Sequence, residues 1–252
     1  MTADPFSLTG RTALVTGSRT GIGQAVAVGL ARAGADLVLH GHHDDLDETE
    51  AAVRALGRDT ERWILDLSEP EGVPAACQSL LARRRIDILV NNAGVIRRAP
   101  ALEAGYADWR AVLATNLDSV FLLTREVGAG MTARRFGKVV TIASLLSFQG
   151  GINVAAYTAS KHAVVGLTKT LANEWAPMNV QVNAIAPGYI ATGNTAALRR
   201  DPVREPAIRD RIPAGRWGTP EDIAGAAVFL SSAAADYVTG QVLAVDGGWL
   251  AR

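Results

Sequence analysis

Near its start the chain reads Thr16-Gly17-Ser18-Arg19-Thr20-Gly21-Ile22-Gly23, between a β-branched run at 12–16 and a stretch with helical spacing at 21–33. The glycines permit a tight turn, close approach of the backbone to a pyrophosphate, and close packing of a helix on a strand. That helix would direct free N–H groups and the positive end of its dipole at the phosphates. A purely structural turn is the alternative, but the strand–turn–helix context favours a dinucleotide site.

Apolar runs of strand length alternate with helix-like stretches along the whole chain. Helices such as 46–56 lie between predicted strands at 12–16, 36–40, 62–65, 88–91, 138–143, 180–185 and 242–245. Continuous apolar strands that alternate with helices predict a parallel sheet covered on both faces. We therefore expect a single α/β domain over residues 1–252, a doubly wound parallel sheet of Rossmann type with about seven strands and helices on both faces.

Residues 187–220 form the one long stretch without a predicted strand, and they are rich in Arg, Pro and Gly. Long segments that follow the carboxyl end of a strand often carry substrate contacts. We expect a substrate lid over about 187–220, and the alternative is a passive surface excursion.

Composition argues against several classes of partner. Lys plus Arg and Asp plus Glu number 25 each, so the formal net charge is zero and no basic stripe indicates a nucleic-acid surface. No window of about 18 apolar residues predicts a transmembrane helix, and no signal peptide is visible. The single cysteine, Cys77, cannot form an internal disulfide and is interpreted as a buried structural thiol. We expect a cytoplasmic protein that contacts neither nucleic acid nor membrane.

The end of the second predicted strand bears on the choice between NAD and NADP. An acidic residue there binds the ribose 2′-hydroxyl and repels a 2′-phosphate. The expected position is Gly41, which has no carboxylate, while Arg19 is either within reach of a 2′-phosphate or a solvated loop residue. These residues leave the choice open. The histidines at 40, 42 and 43 lack a second ligand cluster, so we predict no metal site.

Tyr157 and Lys161 are four residues apart, a spacing that places both on one face of a helix. A phenol with a pKa of about 10 is a poor base at neutral pH, and a nearby ammonium favours the phenolate. We expect Tyr157 to donate a proton to a carbonyl oxygen in reduction and to remove it in oxidation. Ser144, just past the fifth strand, is expected to hydrogen-bond that oxygen, and a turn residue or helix cap is the alternative.

Together these motifs resemble the short-chain dehydrogenase/reductase family over essentially the whole chain. Besides the glycine-rich turn, the matching elements are Asn91-Asn92-Ala93-Gly94, Asn116, Ser144, Tyr157-x-x-x-Lys161 and Pro187-Gly188. The resemblance implies a catalytic tetrad of Asn116, Ser144, Tyr157 and Lys161. In it Asn116 supports a water-mediated proton relay, and Lys161 lowers the pKa of Tyr157 and binds the nicotinamide ribose. The resemblance also implies a homotetramer.

Two further strand ends supply candidate cofactor contacts. Asp66 and Leu67 follow the third predicted strand, where they can contact an adenine, and Asn92-Ala93-Gly94 follow the fourth. With the nicotinamide contacts that the resemblance implies, the predicted set is Gly17, Ser18, Arg19, Gly21, Ile22, Gly23, Gly41, Asp66, Leu67, Asn92, Ala93, Gly94, Tyr157, Lys161, Pro187, Gly188, Ile190 and Thr192.

A closer resemblance is to a branch of the family that acts on keto-deoxy sugar acids and prefers NAD. It is carried by residues 92–98, 146–152, 173–176, 212–218 and 245–252, whereas residues 40–45 depart from any pattern of that branch. The resemblance implies a small-molecule sugar acid of the 2-deoxy-D-gluconate or 2-dehydro-3-deoxy-D-gluconate type. It implies NAD(H) as the favoured cofactor, with NADP(H) not excluded.

A sugar acid carries a carboxylate, which Arg can bind through two parallel hydrogen bonds. Arg97, Arg98 and Arg216 lie in loops expected at the ligand-binding edge of the sheet, although each is equally compatible with a solvated surface. With Ser144 and Gln149 they form the predicted substrate site.

Other functions stay open at this point. One is reduction of a 3-ketoacyl group on an acidic carrier protein, and another is a different polyol or gluconate dehydrogenase. A dinucleotide-binding sensor without turnover is disfavoured, because it would not need Ser144, Tyr157 and Lys161 together.

Overall fold

A seven-stranded parallel sheet forms the centre of the computed structural model, which describes residues 4–252. Its strands are β1 (Thr12–Val15), β2 (Asp36–Gly41), β3 (Thr60–Ile64), β4 (Ile88–Asn91), β5 (Gly137–Ile142), β6 (Val180–Pro187) and β7 (Val242–Val245). They lie in the order β3-β2-β1-β4-β5-β6-β7, and each neighbouring pair is parallel. The predicted doubly wound α/β fold is confirmed.

Helices cover both faces of this sheet. They are α1 (Gly21–Arg32), α2 (Asp47–Ala55), α3 (Val73–Leu81), α4 (Tyr106–Leu113), α5 (Ser119–Ala133), α6 (Ala155–Trp175), α7 (Ala196–Arg200), α8 (Arg204–Arg211) and α9 (Pro220–Ser231). One core packs Leu30 of α1 and Ile223 of α9 on the sheet, and the other packs Cys77 of α3 and Leu123 of α5 on the opposite face. Because both faces are covered, the central strands β4, β5 and β6 are buried throughout.

The order of the strands reverses at β1, which pairs with β2 on one side and with β4 on the other. Crossover connections from these neighbouring strands leave in opposite directions, which opens a crevice at their carboxyl ends. Gly17 follows β1 and Asn92 follows β4, so the two predicted glycine-containing motifs meet at this crevice.

Most predicted strand bounds agree with the structure to within one or two residues. The strand β3 begins at Thr60 rather than at residue 62, because Thr60 and Glu61 pair with Leu37 and Val38 of β2. The predicted lid region contains the short helices α7 and α8, and Ile208 of α8 packs with Trp249 near the C-terminus. Within residues 4–252, every helix is too short or too polar to cross a membrane.

Candidate active site

A cleft of about 870 Å³ opens at the carboxyl edge of the sheet, between the loops that follow β1, β2, β3 and β4. It is bounded further by α6 and by the segment that follows β6. The predicted cofactor residues that line it are Gly17, Arg19, Gly21, Ile22, Gly23, Gly41, Asp66, Leu67, Asn92, Ala93, Gly94, Tyr157, Lys161 and Thr192. The cleft therefore joins the predicted dinucleotide turn to the predicted acid/base pair.

Four predicted cofactor residues lie outside the cleft lining. Ser18 is fully buried and donates its hydroxyl to the backbone carbonyl of His40. Pro187 ends β6, Gly188 packs against Asp246, and Ile190 is buried beside a smaller cavity of about 160 Å³. Their predicted contacts with a cofactor stay predictions.

The glycine-rich turn has the geometry that its sequence predicts. Gly17 and Gly21 have φ angles of 63° and 61°, a region that favours glycine. A Cβ on Gly23 would lie 2.1 Å from the carbonyl oxygen of Gly17, so only glycine fits where α1 starts. The turn is fixed to the β4 exit, because the Asn92 amide donates to the carbonyls of Thr16 at 2.8 Å and Gly17 at 3.1 Å.

The start of α1 suits an anionic ligand. Thr20 precedes the helix in an extended conformation and makes no side-chain capping hydrogen bond. The N–H groups of the first turn are therefore left for a phosphate, as in other glycine-rich dinucleotide turns. These residues fit a nicotinamide dinucleotide, which would lie between the turn and α6 and would supply a site for hydride gain or loss.

Tyr157 and Lys161 lie on one face of α6, as predicted, and both line the cleft. The ammonium nitrogen of Lys161 is 5.6 Å from the centre of the Tyr157 ring and donates to the carbonyl of Ile142 at 2.6 Å. Lys161 is only 5% exposed, and this burial lowers the pKa of its ammonium to about 8. The ammonium is therefore mostly charged at neutral pH, but it loses its proton at a lower pH than a solvated lysine does.

The pKa of Tyr157 departs from the sequence-based expectation. Burial in the cleft wall raises the pKa of the phenol, and this outweighs the lowering by the Ser144 hydroxyl and by the charge of Arg98. An ammonium 5.6 Å away favours the phenolate, but it does not bring the pKa below its ordinary value in the protein without substrate. Tyr157 is thus protonated at neutral pH, the state that a proton donor requires.

Ser144 begins the turn after β5 and accepts a hydrogen bond from the N–H of Leu146 at 3.1 Å. The turn is held to α6 by Ser147, whose hydroxyl donates to the carbonyl of Lys161 at 2.6 Å and accepts from the N–H of Ser144. Sequence reasoning missed Ser147. A Ser three residues after Ser144 matches the spacing of a capping box, and that pattern was the available signal.

Asn116 lies in a π-helical turn, Ala114–Asp118, between α4 and α5. Its side-chain oxygen accepts from the N–H of Val95 at 2.8 Å, and its amide donates to the carbonyl of Val95 and the hydroxyl of Ser160. The side chain therefore fixes the loop after β4 against α6. π-Turns inside helices often occur at functional sites, and the predicted proton relay through Asn116 stays a prediction.

The three candidate arginines have different surroundings. Arg216 holds Asp222 through contacts of 2.7 and 2.9 Å, which lowers the pKa of that carboxyl to about 2. Arg97 lines the cleft and lies 3.6 Å from the Asp108 carboxylate. Arg98 donates to the carbonyl of Asn194, and its charge acts on Tyr157. Gln149 is partly buried on the turn after Ser144 but does not line the cleft.

The adenosine end of the cleft has no carboxylate at the end of β2. Gly41 lines the cleft there, and a Cβ on it would lie 2.6 Å from the carbonyl oxygen of His43. The exposed Arg19 side chain lies 3.4 Å from Asp45, and His42 lies 3.2 Å from Asp66. His40, which sequence reasoning considered only as a metal ligand, also lines the cleft.

Known proteins resemble this chain over nearly its whole length. Residues 17–250 match the family described as enoyl-(acyl carrier protein) reductase. A 2-dehydro-3-deoxy-D-gluconate 5-dehydrogenase of Bacillus subtilis (strain 168) is 56% identical over 249 residues, 99% of this chain and 98% of that protein. A crystal structure from Beutenbergia cavernae, with NADP bound at low occupancy, has 57% identity and a TM-score of 0.97, covering 99% of this chain and 100% of that one. A gluconate 5-dehydrogenase from Burkholderia cenocepacia J2315, solved with NADP and tartrate, has 42% identity and a TM-score of 0.95, covering 99% and 98%.

A switch-point cleft that runs from a glycine-rich turn to Tyr157 and Lys161 is the arrangement of a nicotinamide-dependent oxidoreductase. Ser144 does not line the cleft but is hydrogen-bonded to Tyr157. Within that class, the match over residues 17–250 and the 56% identity to the Bacillus subtilis relative identify the family. The chain belongs to the short-chain dehydrogenase/reductase family, as its motifs predict.

Proposed function

We propose that the protein interconverts a hydroxyl and a keto group on a deoxy sugar acid of the 2-deoxy-D-gluconate or 2-dehydro-3-deoxy-D-gluconate type, with a nicotinamide dinucleotide. The observation that carries the proposal is the cleft that joins the glycine-rich turn to Tyr157 and Lys161, where a hydroxyl or keto group can meet both the cofactor and the acid/base. The likeness to the Bacillus subtilis 2-dehydro-3-deoxy-D-gluconate 5-dehydrogenase supports the same substrate class.

The catalytic roles follow from the state of each group. When bound, a nicotinamide dinucleotide would supply the hydride that a carbonyl carbon gains in reduction. Tyr157 donates its proton to the carbonyl oxygen, and its raised pKa keeps that proton available at neutral pH. The Ser144 hydroxyl hydrogen-bonds the same oxygen, and the Lys161 ammonium stabilises the phenolate that forms. Oxidation reverses these steps, so it requires the phenolate and accelerates as the pH rises.

We assign the substrate carboxylate to Arg98, an exposed residue beside Arg97 of the cleft lining, because of its hydrogen-bond partner. Among residues 4–252, Arg97 and Arg216 each have a carboxylate partner, whereas Arg98 contacts a backbone carbonyl. A guanidinium that is not already paired with a carboxylate can form two charge-assisted hydrogen bonds to an incoming one. The carbonyl that Arg98 contacts belongs to Asn194, which lines the cleft within the proposed lid.

Arg98→Ala is expected to lower kcat/KM for a keto-deoxy sugar acid about 10- to 150-fold, the value of a lost charge-assisted contact. The matched control is Arg110→Ala, for which we expect kcat/KM close to wild type because Arg110 is exposed on α4 and lies outside the cleft lining. Initial rates are measured for the acid and for a neutral analogue with a hydroxymethyl group in place of the carboxylate. If Arg98→Ala weakens both substrates equally, the carboxylate site is wrong.

We further propose that NAD(H) is favoured, as the branch resemblance implies, but with modest discrimination against NADP(H). Gly41 offers no carboxylate to repel a 2′-phosphate, and Arg19 and His42 border the same end of the cleft. Specificity often needs such a repulsive group. The NADP in two related crystal structures is consistent with a weak barrier to that cofactor.

His42→Asp is expected to weaken NADP(H) binding about fivefold or more, because a carboxylate about 4 Å from a phosphate costs at least ~1 kcal/mol. NAD(H) binding should stay close to that of the wild type. We choose His42 rather than Gly41, since a side chain at Gly41 would collide with His43. His42→Asn is the neutral control, and both cofactors are titrated by nicotinamide fluorescence. Equal loss of both cofactors in His42→Asp would contradict this prediction.

A 3-ketoacyl thioester is the second candidate substrate, favoured by the acyl-carrier description of the matched family. A panel of keto-deoxy sugar acids, neutral ketoses and ketoacyl thioesters, each with NADH and NADPH, distinguishes the two. Higher kcat/KM for a thioester than for any sugar acid would replace the proposed function.

The remaining expectations belong to the same proposal. We propose one catalytic domain whose residues 187–220 act as a lid, in a protein of the cytoplasm. We also propose a homotetramer, as the family resemblance implies. The contact of Arg98 with Asn194 supports the lid, since it links the proposed carboxylate site to that segment. Light scattering on the purified protein tests the tetramer.

A further inference from the structure

His40 is a buried histidine in β2, outside the acid/base group described above. It is 3% exposed, and its ring packs 5.4 Å from the ring of Trp63 on β3. Its Nδ1 lies 3.0 Å from the backbone nitrogen of Gly17, and its Nε2 lies 3.0 Å from the carbonyl oxygen of Leu65. The ring therefore connects the turn after β1 to the residue that follows β3.

These two contacts fix the protonation state of the ring. The Gly17 N–H is a donor, so Nδ1 must carry a lone pair, and the Leu65 carbonyl is an acceptor, so Nε2 must carry the proton. Burial lowers the pKa of His40 to about 4, which keeps this neutral form at physiological pH. The titratable groups that face the ring are His42, after β2, and Asp66, after β3.

The backbone of His40 holds the same turn from a second point. Its carbonyl accepts from the N–H of Ser18 at 3.0 Å and from the Ser18 hydroxyl at 3.2 Å. Together with Asn92 on the β4 side, His40 thus fixes both flanks of a turn in which Gly17 has a left-handed conformation. Gly17, His40 and Leu65 all line the cleft.

We infer that His40 is a positioning residue for the dinucleotide: its Nδ1 accepts from the N–H of Gly17, and this contact holds the turn in the geometry that sets cofactor affinity. This inference rests on the proposed function, because it places the pyrophosphate at that turn. The competing interpretation is that the ring is only a well-packed core group. A core group would contribute to stability, but the identity of the atom that faces Gly17 would not matter to binding.

Two amide substitutions separate these interpretations, because each preserves one end of the ring. His40→Asn keeps an acceptor near the position of Nδ1 and loses the reach to Leu65. His40→Gln keeps a donor near the position of Nε2 and offers Gly17 no acceptor. We expect His40→Asn to bind NADH, NADPH and ADP-ribose close to wild type, and His40→Gln to bind each about 5- to 150-fold more weakly.

The dissociation constants are measured without sugar-acid substrate, by fluorescence for the reduced cofactors and by calorimetry for ADP-ribose. Thermal unfolding identifies a variant that does not fold. Equal affinity in both variants, or equal loss in both, assigns the ring a packing role and overturns the inference. A wild-type protein that binds neither NADH nor NADPH would instead overturn the proposed function itself, and the inference with it.

Nitrogen NMR of wild-type protein with ¹⁵N-labelled histidine tests the inference without a variant. The chain has four histidines, so His40 can be assigned. We expect one ring in the neutral Nε2–H form that does not titrate between pH 8 and about 5, as a buried histidine with both nitrogens engaged requires. Titration of the His40 ring at its ordinary value of about 6.5, or an Nδ1–H tautomer, would overturn the contact with Gly17.

Discussion

The Tyr157→Phe enzyme is expected to bind the cofactor normally and to turn over at least about 100-fold more slowly. Phe keeps the ring that lines the cleft and removes the proton that we propose is transferred to the substrate oxygen. Because the pKa of Tyr157 is raised by burial, the wild-type phenol is protonated at neutral pH, and the loss should be large in the reductive direction. Steady-state kinetics with a keto-deoxy sugar acid measure kcat, and fluorescence titration measures the cofactor dissociation constant.

Tyr106→Phe is the matched control, because Tyr106 is 76% exposed at the start of α4 and lies outside the cleft lining. It removes the same hydroxyl group and should leave kcat close to wild type. Near-normal turnover by Tyr157→Phe would refute the acid/base assignment. A loss of turnover accompanied by loss of cofactor binding would point to a damaged cleft rather than to a missing proton.

The parts of the site that sequence predicts well are local in the chain. The glycines of the β1–α1 turn lie within eight residues, and the spacing of Tyr157 and Lys161 places them on one helix face in any fold. The alternation of strands and helices then fixes a doubly wound sheet, and the carboxyl edge of that sheet brings the two motifs to one cleft. Short spacing and general topology are sufficient for these predictions.

The parts that sequence does not predict depend on contacts between distant residues. The contact of His40 with Gly17 requires the register of β1, β2 and β3, in which His40 faces Trp63. The net pKa shift of Tyr157 depends on how deeply the ring is buried, which no motif encodes. The order of strands, turns and helices along the chain therefore predicts neither the contact of His40 with Gly17 nor the pKa shift of Tyr157.

The arginines show an intermediate case. Arg216 is paired with Asp222, and Thr219-x-x-Asp222 is a capping-box spacing at the start of α9 that the sequence displays. That pattern identifies Asp222 as a structural carboxylate and therefore a candidate partner for a nearby cation. That Arg98 has a backbone carbonyl rather than a carboxylate as its partner is seen only in the structure of residues 4–252.

Lys161→Met is expected to lower kcat/KM by about 100-fold or more, since it removes the charge that stabilises the Tyr157 phenolate and the contact implied for the nicotinamide ribose. Met keeps most of the buried aliphatic volume of Lys161, so the fold should persist. In the wild type, the pKa of Lys161 is lowered to about 8, so the ammonium is charged below that pH and is lost as the pH rises through it. The rate of carbonyl reduction should therefore decline above a pH of about 8.

That alkaline decline is the decisive observation, because it should disappear in Lys161→Met. The variant should be slow and nearly independent of pH between 7 and 9, because the ammonium with a pKa of about 8 is gone. The control is Lys169→Met. This substitution removes an equal charge from an exposed position on the same helix, outside the cleft lining. If the variant keeps a limb near pH 8, that limb belongs to another group. A wild-type profile with no decline up to pH 9 would contradict the prediction. It would show that the pKa of the Lys161 ammonium is higher in the working enzyme than burial alone allows, and that contact with the bound cofactor stabilises the charge.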